Sequence, residues 1–80
     1  MVAAYVFIEL TTADPQRANL NQVLTEIRAI RGVKQAHILF GSIDCIAYVE
    51  CPDNAALGET VVAIRELRGV AHTDTRPVYS

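Results

Sequence analysis

The octet EIRAIRGV (residues 26–33) returns almost unchanged as AIRELRGV (residues 63–70) in a chain of 80 residues. What precedes and follows each copy decides the fold. Upstream of and within the first, Leu20, Val23, Leu24, Ile27 and Ile30 recur at helical spacing and form one apolar stripe. Upstream of and within the second, Leu57, Val61, Ile64 and Leu67 do the same. Each octet places arginines (Arg28 and Arg31, then Arg65 and Arg68) where a helix macrodipole favours cations. Gly32 and Gly69 then supply the left-handed residue that ends a helix, and Val33 and Val70 open strands. The helices begin at matching signals, Asp14–Pro15 and Pro52–Asp53, an N-cap type beside a proline that tolerates the first turn.

The strands also correspond. AYVFIEL (residues 4–10) aligns with CIAYVEC (residues 45–51), glutamate over glutamate. Strands are expected at 2–10, 33–40, 44–51 and 70–79, with Pro77 near the end of the last, where an edge strand accepts it. The order β-α-β-β-α-β is two copies of one β-α-β unit joined by a hairpin. The expected class is α+β, a ferredoxin-like four-stranded antiparallel sheet in the order 4-1-3-2, with both helices on one face.

The whole chain, 1–80, reads as one domain. A chain of this size buries only about 60–70% of the surface its unfolded form exposes, so it needs a staple. Cys45 and Cys51 do not provide one: on a single strand they lie about 20 Å apart, beyond the reach of a disulfide. Two cysteines with two distant histidines make no zinc site, and no cofactor motif occurs. Self-association is the remaining staple. The net charge of −2, with seven scattered Lys and Arg, argues against nucleic-acid binding. No apolar run approaches the ~20 residues of a membrane span and no signal-peptide pattern opens the chain, so a cytoplasmic protein is expected.

Alternation assigns the faces. Ala4, Val6, Ile8 and Leu10, with Cys45, Ala47, Val49 and Cys51, should lie beneath the helices. The uncovered face then carries Tyr5, Phe7, Ile46 and Tyr48, joined by Leu39 and His37. Burying one large apolar side chain yields ~1.5–3 kcal/mol, so this set favours a homodimer with two sheets face to face. His37 and His72 have no carboxylate at a spacing that suggests acid–base catalysis, and read as packing or surface residues.

FGSIDC (residues 40–45) lies between the repeats and has no counterpart. Gly41 allows positive φ and close approach of a ligand, and Asp44 offers a carboxylate to an ammonium group. By itself, Gly-x-x-Asp in a hairpin is more often turn chemistry than a site. With this hairpin, the doubled Arg-Gly-Val and the late Thr-Asp-Thr (residues 73–75), the chain resembles the effector-binding (RAM) domain of the Lrp/AsnC feast/famine regulators over essentially its full length. No helix-turn-helix precedes it here, so it looks like a stand-alone form. The resemblance implies a dimeric α+β barrel-type assembly, often an octamer built as a tetramer of dimers, with an amino acid bound between dimers at the hairpin. By motif match Gly41, Ser42 and Asp44 would line that pocket, with Thr73 and Thr75 reaching the ligand from the last strand. Full-length Lrp/AsnC regulators become possible partners.

The expected function is thus an effector-binding and oligomerisation module that is not an enzyme. Two alternatives remain: a small dimeric α+β barrel enzyme of the cofactor-free monooxygenase or isomerase kind, and a purely structural oligomerisation module. An enzyme needs a cavity within the barrel; a sensor needs one at a seam beside Gly41.

Overall fold

The computed structural model describes residues 1–11, 20–41 and 43–79. Six elements follow in the expected order: β1 (Val2–Leu10), α1 (Leu20–Arg28), β2 (Val33–Ile38), β3 (Cys45–Cys51), α2 (Asn54–Arg65) and β4 (Val70–Pro77). The sheet order is β2-β3-β1-β4, all neighbours antiparallel, which is the ferredoxin-like order anticipated above.

The doubled octet has doubled geometry. After α1, the N–H of Ile30 donates to the Ile27 carbonyl and that of Val33 to Ile30, both at 3.1 Å. After α2, Leu67 donates to Ile64 at 3.1 Å and Val70 to Leu67 at 3.2 Å. Each octet therefore leaves its helix through a pair of tight i→i+3 turns. This corrects the expected helix ends: α1 stops at Arg28 and α2 at Arg65, each four residues before its glycine. The glycines still take positive φ, +99° at Gly32 and +102° at Gly69, but they turn the chain into a strand instead of closing the helix. Strands 2 and 4 end two residues short of the expected bounds, although the Leu39 N–H still donates to the Asp44 carbonyl and the Val78 N–H to the Ala3 carbonyl, both at 2.8 Å.

Asp53 caps α2, its carboxylate accepting the Ala56 N–H at 2.8 Å. The matching Asp14–Pro15 signal lies outside the described residues.

The face assignment holds. Ala4, Val6, Ile8, Leu10, Cys45, Ala47, Val49 and Cys51 are all buried, in one cluster with Val23 and Ile27 of α1 and Leu57 and Ile64 of α2. Both helices therefore cover the same face. Leu20, expected in the α1 stripe, is instead exposed at the start of the described helix. Thr60 is the buried polar residue of the core; its hydroxyl donates to the Arg31 carbonyl at 2.9 Å and lies 3.5 Å from Cys51 Sγ. Both cysteines are free thiols, and burial raises the pKa of Cys45.

Candidate functional site

The hairpin closes where the Leu39 N–H donates to the Asp44 carbonyl at 2.8 Å, leaving Phe40–Ile43 as the loop. Gly41 has φ +125°, a region that side-chain-bearing residues rarely enter, and beyond its own chain neighbours no described atom lies within 4 Å of where its Cβ would stand. Phe40, beside it, is fully exposed. Ser42 lies outside the described residues.

Asp44 is half-buried. Its Oδ2 accepts the Leu10 N–H at 2.8 Å. The β1–β3 ladder runs only as far as the Ile8–Cys45 row, so the carboxylate takes the place of the next strand partner. Asp44 thus pins the hairpin to the end of β1, a role the spacing alone did not reveal. Its Oδ1 has no protein hydrogen-bond partner among the described residues.

Thr73 and Thr75 are half-buried and pair with Ile8 and Val6. Residues directly opposite in an antiparallel pair share a face, so both hydroxyls belong to the side on which the helices pack. Strands lie about 4.8 Å apart, so Thr73 and Cys45, on opposite sides of β1, are about 10 Å apart. Thr75 is two residues further from the hairpin. Within one chain the two threonines and the Gly41 loop therefore do not converge on a single point.

The uncovered face is populated as expected and also carries groups the sequence reading did not place there. Tyr5 and Tyr48 stand opposite each other with ring centroids 5.1 Å apart at 48°. Phe7 faces Ile46, and His37 flanks Ile46 from β2. Tyr5 and Leu39 are exposed, while Phe7, Ile46 and Tyr48 are half-buried. The register adds β4: Asp74 lies beside Phe7, Arg76 beside Tyr5 and His72 beside Glu9. Arg76 and Asp74 form a bidentate pair, 2.8 Å at its shortest, and the guanidinium sits 5.9 Å from the Phe7 ring centroid. The hydrogen bond from Arg76 holds the Asp74 carboxyl below its ordinary pKa. The Tyr48 hydroxyl donates to Glu50 at 3.0 Å, which raises the phenol's pKa. The parity of 72, 74 and 76 would have placed these residues had the β1–β4 register been readable from sequence.

The description "Lrp/AsnC ligand binding domain" matches residues 5–80. The chain belongs to the Lrp/AsnC ligand-binding domain family. Among solved structures, FFRP-DM1 superimposes with a TM-score of 0.85 at 22% identity, over 99% of this chain and 100% of that one. Escherichia coli AsnC gives 0.84 at 20% identity over 99% of this chain and 51% of its own, so the Lrp/AsnC domain here spans about half of that regulator. A Neisseria meningitidis transcriptional regulator, solved as a complex with L-Met, gives 0.79 at 18% identity, again over 99% of this chain and 50% of its own. No curated protein sequence matches. The family is a ligand-binding domain of transcription regulators. No described helix is long and apolar enough to cross a membrane.

Proposed function

We propose that this domain binds a small amino acid at the Gly41–Asp44 hairpin and converts binding into a change of self-association. The observation that carries the reading is the pairing of open space at Gly41, where nothing beyond its chain neighbours lies within 4 Å of a built Cβ, with an Asp44 oxygen that has no hydrogen-bond partner among the described residues. An ammonium group reaching that oxygen gains a charge-assisted hydrogen bond of ~1.5–3 kcal/mol. By motif match Gly41 and Ser42 belong to the same pocket. Thr73 and Thr75 belong to the same pocket only if another copy's strand brings them to the hairpin, which places the ligand at a seam between subunits.

The same reading makes the sheet face a dimer interface of Tyr5, Phe7, Leu39, Ile46 and Tyr48. The Asp74–Arg76 pair, on edge strand β4, would form its polar border, as interfaces have charged rims around apolar centres. Dimers associating through the hairpins would give the octamer, a tetramer of dimers. Full-length regulators with the same domain could join through the same face. Chemistry of this kind is recognition without bond-making, hence a sensor and not an enzyme, working in the cytoplasm where metabolites are read.

A purely structural module is the second reading, and Asp44 itself favours it: the carboxylate already holds the Leu10 N–H, so its presence is explained without a ligand. A thermal-shift panel of the twenty amino acids separates the two. A ligand at ~100 times its dissociation constant adds ~2.7 kcal/mol. In a domain this small that raises the melting temperature by about 10 °C or more. If no amino acid moves it, the structural module stands and the sensor falls.

A further inference from the structure

A second concavity lies at the end of the sheet away from the hairpin. β3 runs from Cys45, next to the hairpin, to Cys51, about 20 Å along. There a cavity of about 760 Å³ opens between the end of the first octet and α2. That volume is in the range of small-molecule sites, about 300–1,000 Å³.

Its walls are held in place. Thr60 ties α2 to the Arg31 carbonyl at 2.9 Å, and the Glu50 N–H donates to the Gly32 carbonyl at 2.9 Å. Gly32 allows this closeness: a Cβ there would meet Thr60 Oγ1 at 2.9 Å and Cys51 Sγ at 3.1 Å. On α2 the lining residues Ala56, Thr60 and Ala63 share one face, and the two alanines leave room between helix and octet. Ile30 supplies an apolar wall opposite them.

Two cations and two carboxylates line the cavity, and none is ion-paired with another among the described residues. Arg31 and Lys34 both line it, both are exposed, and neither has an ion-pair partner among the described residues. Glu59 is the carboxylate on the α2 side. Glu50 also borders the cavity, but its carboxylate accepts the Tyr48 hydroxyl, a residue of the uncovered sheet face. Lys34 lies at the irregularity between Val33 and Gln35, where β2 shifts register against β3.

We propose that this cavity binds a small amphipathic carboxylate, its acid group between Arg31 and Lys34 and its apolar body along Ile30, Ala56 and Ala63. The site shares no residue with the hairpin and does not depend on the reading given to it.

The test is an amide NMR titration of the full chain with octanoate, with octylammonium as the charge control. Octanoate should give saturable shifts at Ile30, Gly32, Thr60 and Ala63, at least tenfold tighter than octylammonium. The double variant Arg31→Glu/Lys34→Glu, at exposed positions, should weaken octanoate at least tenfold. Ala63→Phe, with folding checked by circular dichroism, should abolish the shifts by filling the cavity. Asp44→Ala should leave them unchanged, which separates this site from the hairpin. No saturable shift, equal binding of octylammonium, full binding by the charge-reversed variant, or shifts confined to Phe7 and Ile46 would each overturn the proposal.

Discussion

Asp44 has two jobs under the reading above, and two substitutions separate them. Asp44→Ala removes the acceptor of the Leu10 N–H, a bond of 2.8 Å at a part-buried position. An orphaned buried donor costs ~1–3 kcal/mol; with part of the group still reaching water, the lower half of that range applies, ~1–2 kcal/mol. For a domain of this size each kcal/mol lowers the melting temperature by about 4–8 °C. Asp44→Asn keeps an amide oxygen for Leu10 and loses only the charge assistance, for which ~1 kcal/mol is ample. For an ammonium ligand both variants lose the carboxylate and so about the same ~1.5–3 kcal/mol, which is roughly ten- to a hundredfold in affinity. Urea unfolding followed by circular dichroism reads the first quantity. Calorimetric titration with whichever amino acid raises the wild-type melting point reads the second. The expected pattern is a graded loss of stability, Ala more than Asn, with an equal loss of affinity. An Asn variant that binds as tightly as wild type would remove the carboxylate from the site. An Ala variant as stable as wild type would show that the bond to Leu10 contributes nothing.

Gly32→Ala should destabilise by ~2–4 kcal/mol, the sum of positive-φ strain and a contact at 2.9 Å with Thr60 Oγ1, whereas Gly41→Ala, with φ +125° and open space, should cost only the strain of ~1–2 kcal/mol; equal losses in urea melts would mean the crowding at Gly32 is relieved by a small shift. Phe7→Asp, which puts a charge at the centre of the open face, should lower the sedimentation-derived mass toward a single chain at micromolar concentration, while Val62→Asp on the exposed side of α2 should not; a wild-type domain that is already a lone chain refutes the interface. The Asp74 carboxyl, followed by NMR, should titrate below the ordinary carboxylate range and move back up in Arg76→Gln. Because its folded pKa is depressed, the pair's contribution to stability is present above the unfolded carboxylate pKa and fades as pH falls through the folded one, so an unshifted midpoint would mean the pair does not persist in solution. Effector affinity should rise with protein concentration across the range in which subunits associate, and a flat dependence would uncouple ligand from assembly.

The residues that announced themselves in the sequence are those whose role is local or periodic. The doubled octet fixed two helix exits because Ile27, Ile30 and Val33, like Ile64, Leu67 and Val70, make the same short-range turns wherever they occur. The faces of β1 and β3 followed from strict alternation, and every residue placed beneath the helices is buried there. What stayed hidden depends on contacts between distant segments. Asp44 with Leu10 spans 34 positions, and Thr60 with Arg31 spans 29; neither pairing has a periodic trace. The polar strip of Asp74 and Arg76 has the right parity, but a register cannot be drawn from one strand alone. The cavity beside Arg31 owes its shape to small residues, and Ala56 and Ala63 in a sequence look like ordinary helix formers rather than like room.

The duplication also explains why hairpin and sheet face would act together in a sensor. Doubling a β-α-β unit produces a sheet whose central strands, β1 and β3, are the two equivalent ones, and it joins the copies through the one segment without a counterpart. Asp44 therefore stands at the head of a central strand and grips the end of the other. The next rows of that ladder are Ile8 with Cys45, Phe7 with Ile46, Val6 with Ala47 and Tyr5 with Tyr48, and the Phe7 and Tyr5 rows lie on the uncovered face. A ligand that engages Asp44 would bear on the same ladder that carries the sheet face proposed for self-association, with no intervening loop to absorb a shift. The coupling must run both ways: if a ligand tightens association tenfold, association tightens the ligand tenfold, ~1.4 kcal/mol in each direction. A ligand at a seam between copies satisfies this by mass action alone, because it binds only the states in which the seam exists. The fold needs no second conformation to be a switch; it needs only an interface weak enough for the ligand's contribution to matter. A marginal core and a half-exposed aromatic face favour an association of that kind.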